Sequence, residues 1–346
     1  MKLKSMQTMP LQLFLITLII GLTSLAVASD VKKVILIETM PVPAVIEHSR
    51  WFQVQLKELG YEKNKNLKLT ILKANGERQL AEKLLNAELA GGNPDLVVTI
   101  ATLASQAAAK LLKGTDIPLL FFQVSNPVDA GLVKQINAPT GTNITGKVYT
   151  VNRNAKIEML FQLVSQIAVH RPIRFGIIHS TYPSSMGDIR ELEMIAKRRG
   201  DITFVPYKIE YKKVPTGLPA MIEDTKKGIK ALEGKVDFWV EPLGPLGESF
   251  EYTQAIMELS TTPIVLGAKA DSVKRGALMH VTPHIEASGR ETALLASQIL
   301  EGKDPGTILV TPPLNFDLGI NITTALKLKM IIPPDMLKLA GNHVYR

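Results

Sequence analysis

The sequence predicts an α/β protein with two similar lobes, each a parallel β-sheet flanked by helices. Three observations favour this fold class. A chain of 346 residues is too long for one ordinary core and fits two domains of roughly 130–160 residues each. Short apolar runs alternate with amphipathic segments, a pattern typical of βαβ units. The alternation restarts near residue 173, so the second half repeats the architecture of the first.

The first thirty residues have the pattern of a secretory signal peptide. They contain a basic start at Lys2 and Lys4, an apolar core over residues 11–25 and a small-residue A-x-A site at residues 26–28. This pattern predicts cleavage after residue 28 and export to the periplasm. An uncleaved membrane anchor is the alternative, because the apolar segment approaches the roughly 17–25 residues that span a bilayer.

Composition narrows the possible partners. The chain has no cysteine, so neither a disulfide nor a lipid-modified cysteine is expected. Loss of the signal would lower the formal charge from +8 to +6, because it removes Lys2 and Lys4 and no acid. The basic residues are scattered singly or in short runs and aromatic residues are 5% of the chain, which argues against a nucleic-acid-binding surface.

The elements of the first lobe follow from local patterns. Apolar, β-branched runs predict strands, and amphipathic stretches that close at Gly60 or at Gly91 predict helices. In chain order these are a strand over 33–39, a helix over 47–59, a strand over 67–73, a helix over 77–89, a strand over 95–101, an alanine-rich helix, a strand over 117–124, and a helix starting at Pro127.

The strand over 117–124 is the strongest of these predictions, because the run has no charge and stops abruptly at Ser125 and Asn126. Ligands of open α/β sheets lie at the carboxyl ends of the strands, so both residues are candidate ligand contacts. At the preceding strand exit, Thr102 or Ser105 can either cap the next helix or help its free N–H groups bind a carboxylate.

The second lobe repeats the pattern. The predicted segments are a strand over 173–179, a helix over 184–199, a strand over 203–207, a helix over 218–232, a strand over 236–240, a helix over 247–260, a strand over 264–266, a strand near 278–281, a helix over 285–300, extended segments over 308–311 and 315–320, and a short helix before Pro333.

The late segments imply that the chain crosses between lobes three times. The boundaries are predicted at 29–147 with 282–311 for the first lobe and at 148–281 with 312–346 for the second. Three parallel crossings suit a hinge that closes two lobes over a ligand, and the strand-exit loops of both lobes would then face one cleft.

Two motifs resemble a known family. The segment SNPVDAGLV (residues 125–133) followed by GTNITG (residues 141–146) resembles the tryptophan/tyrosine-type substrate-binding proteins of ABC transporters, with further similarity in NPDLVVTIATLASQAAA (residues 93–109) and DSVKRGAL (residues 271–278). The resemblance implies a type I periplasmic binding protein fold. It also implies a monomer that captures a small molecule and delivers it to an ABC permease in the inner membrane.

By that resemblance, Thr102, Ser125 and Asn126 would line the wall of the first lobe. Ser184 and Ser185, at a helix N-terminus, would receive an anionic group of the ligand. Amino-acid-binding relatives often hold the ligand's ammonium with a polar residue in the later strand-exit loops. The sequence departs from them there, and leaves Glu241 as a candidate ammonium partner and Lys269 as a candidate partner of an acidic ligand.

Aromatic residues divide into core and cleft candidates. Phe121, Phe122 and Trp239 lie within apolar strands and are expected in the core. Tyr149 falls in a crossing segment and Tyr182 in a strand-exit loop, so each can either stack on a ligand or serve the structure.

Enzyme and cofactor motifs are incomplete. The segment GTNITGKV resembles a phosphate-binding loop, but Val148 stands where a magnesium-ligating hydroxyl is needed. No G-x-G-x-x-G follows the first strand and no G-x-S-x-G occurs. His280 and His284 have helical metal-ligand spacing, but Pro283 interrupts the helix between them. The sequence therefore predicts no cofactor, no metal and no enzymatic activity.

The function predicted is that of a periplasmic solute-binding component of an ABC importer, for a small polar or aromatic molecule that is amino-acid-like or a carboxylate. A ligand-sensing protein that feeds a membrane receptor is the alternative, because the same fold would serve either role. An exported enzyme is the weakest of the three, since no nucleophile–base pair is visible.

Overall fold

The computed structural model describes residues 31–167 and 171–346, so the predicted signal peptide lies outside the described residues. The described strands are β1 Lys32–Glu38, β2 Leu67–Lys73, β3 Leu96–Ile100, β4 Leu119–Val124, β5 Ile144–Val148, β6 Ile173–Ser180, β7 Ile202–Ile209, β8 Phe238–Val240, β9 Ile264–Gly267, β10 Met279–Pro283, β11 Phe316–Asn321 and β12 Val344–Tyr345. The helices are α1 Pro43–Glu58, α2 Arg78–Leu89, α3 Thr102–Leu112, α4 Arg153–Val164, α5 Pro183–Arg199, α6 Leu218–Leu232, α7 Phe250–Leu259, α8 Ala270–Arg275, α9 Ile285–Leu300, α10 Ile322–Lys327 and α11 Pro334–Ala340, with a 3-10 helix at Pro305–Thr307.

The first lobe is the five-stranded parallel sheet β2-β1-β3-β4-β5 with its flanking helices. Successive side chains of its strands point to opposite faces. Phe121 therefore packs with α2 and α3, whereas Phe122 packs with α1 and α9. Gly289 lets α9 approach α1, because a Cβ there would lie 2.7 Å from the Cβ of Trp51. The sheet is covered on both faces, as the apolar strands predict.

The second lobe is the seven-stranded sheet β12-β11-β10-β9-β8-β6-β7 with its helices. It is mixed and not wholly parallel as predicted, because β11 runs antiparallel to β10. The reason lies in the path of the chain: β10 leads out of this lobe towards α9, and β11 enters it on the return. Two neighbouring strands that leave and re-enter a lobe at the same edge run in opposite directions.

The chain passes between the two sheets three times, and the passages lie side by side. They follow β5, β10 and the 3-10 helix. Lys147 on β5 bridges Thr311 on the third passage, where its Nζ donates to Thr311 Oγ1 at 3.0 Å, and it also pairs with Glu291 on α9 at 2.9 Å. Lys147 therefore connects the first passage to the third and attaches it to α9 of the first lobe.

Several local expectations change. No helix starts at Pro127; residues 127–131 form a turn that ends where Gly131 takes a φ of +74°. Helix α1 begins at Pro43, earlier than predicted, because proline is favoured in the first turn of a helix. The core prediction for Phe121, Phe122 and Trp239 is confirmed, since each is 0% exposed. Within the described residues, no helix has both the length and the apolar character needed to cross a membrane.

Candidate functional site

A small cavity of about 30 Å³ lies where the carboxyl ends of the two sheets meet. It is lined from the first lobe and first passage by Met40, Val42, Val45, Ala101, Thr102, Gln123, Ser125 and Tyr149, and from the second lobe by Tyr182, Ser184, Gly244, Pro245 and Glu248. Five of the nine residues singled out from the sequence are therefore brought together here: Thr102, Ser125, Tyr149, Tyr182 and Ser184. Asn126, Ser185, Glu241 and Lys269 are not among the lining residues.

The N-terminus of α3 forms one wall. Thr102 is the first helical residue, and Ala101 occupies the cap position with a φ of +68° and no side-chain capping bond. Thr102 is therefore not the cap that its position allowed. That role falls to Thr39 at the end of β1, whose Oγ1 accepts from the Ala104 N–H at 3.2 Å. The Thr102 N–H donates to no acceptor among the described residues.

The N-terminus of α5 forms the opposite wall. Ser184 is 8% exposed and lines the cavity, whereas Ser185 lies behind it and its Oγ donates to the Leu243 carbonyl. Gly244 has a φ of +99°, and a Cβ there would lie 3.1 Å from Ser184 Oγ and 2.8 Å from Ser185 Oγ. Only glycine combines this backbone angle with so close an approach, so Gly244 brings the loop after β8 against the helix end.

Tyr149 and Tyr182 contribute aromatic rings to the cavity wall, Tyr149 from the first passage and Tyr182 from the second lobe. Tyr149 packs edge-on against the His48 ring with centroids 4.6 Å apart, and Tyr182 packs against Tyr211 at 4.9 Å. Burial raises the pKa of both tyrosines well above the usual range. Burial lowers the pKa of His48 to about 4, so this ring is neutral and its Nδ1–H donates to the Ala44 carbonyl at 2.6 Å.

Ser125 and Asn126, which follow β4, have different roles. Ser125 lines the cavity, and its Oγ lies 3.4 Å from the Tyr149 carbonyl. Asn126 Oδ1 accepts from the Asp129 N–H at 3.1 Å and so caps the turn that follows. This local bond is typical of asparagine at the start of a turn, and it occupies the oxygen that the sequence offered to a ligand.

Glu241 and Lys269 are not among the residues that line the cavity. The Glu241 carboxylate accepts from Thr253 Oγ1 and Ser272 Oγ, both at 2.6 Å, and from the Ala268 N–H at 2.8 Å. Burial raises its pKa, and these donors partly offset that rise. Lys269 occupies the residue before α8 and is half-buried. Glu241 therefore connects strand-exit loops of the second lobe.

Two lining residues with polar side chains escaped the sequence analysis, Gln123 and Glu248. Gln123 is the single polar residue in the apolar run over 117–124, which is a signal that could have found it. Glu248 lies eight residues beyond the end of β8, and nothing in its local pattern marks it. It is the one charged side chain among the described residues that line the cavity.

In the part of the chain that the structure describes, the histidines and carboxylates are not grouped as metal ligands. Within residues 31–167 and 171–346, no group of three or more could hold an ion. His284 caps α9, where its Nδ1 accepts from the Ala287 N–H at 3.3 Å. His280 packs against Gly319, at which a Cβ would lie 2.3 Å from His280 Nε2. Helix ends, hydroxyls and aromatic rings are instead suited to hold a small organic molecule.

The chain is similar to known proteins in sequence and in fold. Residues 33–344 match the family model described as ABC transporter substrate binding protein. A tyrosine-binding protein of Clostridioides difficile is 26% identical over 304 residues, which cover 87% of this chain and 80% of that protein.

Two solved structures have a TM-score of 0.73 to this chain. A conserved domain protein from Vibrio cholerae is 26% identical and is matched over 92% of this chain and all of its own. An ABC domain in complex with L-Trp from Streptococcus pneumonia is 22% identical, with 91% of this chain and 99% of its own covered. The second likeness is one of fold.

Proposed function

The chain belongs to the ABC transporter substrate-binding proteins, and we propose that it captures an amino-acid-like molecule between its lobes in the periplasm and delivers it to an ABC permease in the inner membrane. The observation that carries the proposal is the meeting of two helix N-termini, one from each lobe, at the same cavity. Thr102 of α3 and Ser184 of α5 stand on opposite sides of it. In this proposal the protein binds its ligand and does not catalyse a reaction.

These helix ends favour a carboxylate. The first N–H groups of a helix have no partner within it, and the aligned peptide dipoles place partial positive charge at that end. Among the described residues, the N–H groups of Thr102, Ser184 and Ser185 donate to no protein acceptor. A carboxylate between the two ends would receive bonds from both lobes at once. The hydroxyls of Thr102 and Ser184 add donors of the same kind.

The rest of the wall favours an apolar or aromatic side chain on the ligand. Met40, Val42 and Val45 line the cavity from the first lobe, and Tyr149 and Tyr182 present ring surface. The names of the two relatives, a tyrosine-binding protein and an L-Trp complex, support an aromatic amino acid. The proposed ligand contacts are five residues of the cavity wall: Thr102, Ser125, Tyr149, Tyr182 and Ser184.

Capture requires the lobes to separate. The cavity of about 30 Å³ has room for only about one or two water molecules, so an amino acid enters an opened cleft. Contacts between the lobes then re-form around it: Arg190 pairs with Asp129 at 2.8 Å, and Tyr211 Oη donates to the Gly76 carbonyl at 3.3 Å. A ligand that touches both lobes shifts the equilibrium towards the closed state.

Thermal unfolding and small-angle scattering test the proposal. L-tyrosine or L-tryptophan should raise the melting temperature and reduce the radius of gyration of the purified protein. Ser184→Ala should weaken that response, whereas Thr216→Ala, an exposed hydroxyl removed from the same lobe, should not. No response to any member of a panel of amino acids and carboxylates would contradict the proposal.

Delivery to a permease is tested in cells. Deletion of the gene should abolish uptake of the captured ligand at concentrations near its Kd, and re-expression of the wild-type chain should restore uptake. Restoration by Ser184→Ala should be partial. Uptake that is unchanged by the deletion would contradict the importer role while leaving ligand capture intact.

A further inference from the structure

The outer edge of β2 has no neighbour among the described strands. β2 is the last strand of the first-lobe sheet and pairs with β1 alone. The Ala74 N–H donates to the Glu38 carbonyl at 2.9 Å, so the even-numbered residues at this edge direct their backbone groups towards β1. The backbone groups of successive strand residues point to opposite sides, so Leu69 and Ile71 direct theirs outwards. An open edge of this kind is a template for pairing with another chain.

A groove with a volume of about 710 Å³ lies on one face of this edge, between α1 and β2. Its apolar lining includes Leu67 and Leu69 of β2 and Val54 of α1. The charged residues that line it are Glu38, Arg50, Lys57, Glu62 and Lys63. The groove shares no lining residue with the ligand cavity. Apolar side chains of a strand added beside β2 would therefore meet apolar surface on this face.

A second, smaller cavity of about 90 Å³ lies on the opposite face of the same edge, beside the end of α2. Lys33 of β1 and Lys68 of β2 line it as register partners, and both side chains are exposed. Neither ammonium makes an ion pair with a described residue, and Glu88 is the one acid among the described residues of the lining. Like charges opposite each other destabilise a sheet, so this face favours an acidic side chain on an added strand.

We propose that the β2 edge binds an extended peptide segment of a partner protein as a sixth strand of the first-lobe sheet, with apolar side chains on the α1 face and acidic side chains on the α2 face. The outward N–H and C=O groups of Leu69 and Ile71 bond to the peptide backbone, and the two cavities receive its alternating side chains. A second copy of β2 is a poor occupant, because it adds its own Lys68 and Lys73 to an edge that is already basic. The surface is separate from the ligand cavity.

Binding of a synthetic peptide tests the inference. The probe is a capped seven-residue peptide in which glutamate alternates with valine, and the comparison peptide has the same composition with its valines adjacent. Calorimetry should give a Kd below about 1 mM for the alternating peptide and weaker binding of the comparison peptide. In the bound protein the amide protons of Leu69 and Ile71 should exchange more slowly by NMR, because they donate to the peptide backbone.

Charge reversal tests the preference for an acidic partner. Lys68→Glu should weaken binding of the alternating peptide about 2- to 30-fold, because attraction at one cross-strand position becomes repulsion. Lys230→Glu is the matched control, since it reverses an exposed lysine of α6 in the second lobe, and it should leave the affinity unchanged. Equal effects of the two changes would overturn the inference in favour of unspecific charge attraction.

A matched pair of variants tests the backbone contact. Leu69→Pro removes an outward N–H that β1 does not use, a change that an edge strand tolerates, and Leu69→Ala removes the same side chain but keeps the N–H. The proline variant should bind the alternating peptide about 2- to 10-fold more weakly than the alanine variant. Equal affinities of these variants, equal binding of both peptides or unchanged exchange at Leu69 and Ile71 would overturn the inference. A wild-type dimer in sedimentation that Leu69→Pro abolishes would do the same. Circular dichroism checks folding, and if Leu69→Pro does not fold, the exchange measurement and Lys68→Glu decide.

Discussion

Two ion pairs that join the lobes across the cleft should set part of the affinity for ligand. Arg190 of α5 pairs with Asp129 at 2.8 Å, and Lys213 pairs with Glu77 across the other side. The double change Asp129→Asn with Glu77→Gln removes both pairs and keeps side-chain size. Because both pairs join the lobes only when they are closed, their loss should favour the open state.

The magnitude follows from the exposure of these side chains. Arg190 and Asp129 are 51% and 34% exposed, and Lys213 and Glu77 are 53% and 40% exposed. Exposed pairs contribute about 0.2–1 kcal/mol each, so the two together contribute about 1 kcal/mol. This corresponds to about a fivefold weaker affinity in the double variant.

Calorimetry at several salt concentrations measures the effect. Salt screens exposed charges, with a Debye length of about 30 Å at 0.01 M and about 3 Å at 1 M. Wild-type affinity should therefore fall as salt rises and approach that of the double variant. Glu47→Gln is the matched control, because its pair with Arg50 is similarly exposed but lies within α1. Equal affinities and equal salt dependence in wild type, double variant and control would refute the role of these pairs in closure.

Three further outcomes are expected. Burial raises the pKa of Glu248 to about 7 from the ordinary value of 4.5, so stability is lost as pH rises through this range and the carboxylate becomes ionised in the folded protein. Glu248→Gln should therefore raise the melting temperature at pH 8 and not at pH 4, and the opposite pattern would count against a buried carboxylate. Asp188→Asn should lower the free energy of unfolding in urea by about 3–5 kcal/mol, because it leaves the buried Arg153 charge without its partner. The Asp188 and Arg153 side chains are only 2% and 4% exposed. A loss below about 1 kcal/mol would contradict a buried pair. Gly187→Leu should weaken ligand binding about 5- to 100-fold by overpacking the closed interface, since even a Cβ at Gly187 would lie 3.2 Å from Asp129 Oδ2; scattering should show the variant open with ligand present, and a normal compaction would contradict this.

The architecture was predictable because it depends on patterns that are local in the sequence. The strand over 117–124 was found from a run without charge, and its burial on both faces is confirmed by Phe121 and Phe122. The antiparallel direction of β11 was not found, because strand direction depends on where a returning chain enters the sheet. The turn after Pro127 was misread as a helix, since the left-handed Gly131 that ends it has no signal distinct from a glycine within a helix.

The candidate site was only partly predictable. Strand ends and helix starts placed Thr102, Ser125 and Ser184 at the cavity, because the carboxyl ends of parallel strands meet at one edge. The hydrogen-bond partners of Glu241 could not be predicted from the sequence. Glu241 sits at the end of β8, where the fold class predicts a ligand contact, but its partners come from α7 and α8, many residues later. Partners so distant in sequence leave no local signal.

Buried charges in the second lobe separate into two kinds. Asp188 pairs with Arg153 and also accepts from the Leu243 N–H at 3.1 Å, and Glu241 accepts three hydrogen bonds within its own lobe. Such fully partnered groups fix the shape of the loop that ends at Gly247, and they have no capacity left for a ligand.

Glu248 is of the other kind, because it lines the cavity and its carboxylate makes no hydrogen bond or ion pair among the described residues. In the first lobe, Gln123 lines the same cavity, and its Oε1 accepts no hydrogen bond from any described residue. Burial of the unpartnered Gln123 Oε1 costs free energy that a hydrogen bond would offset. In the absence of ligand this cost favours opening of the cleft, whereas a ligand group that donates to Gln123 Oε1 would favour closure.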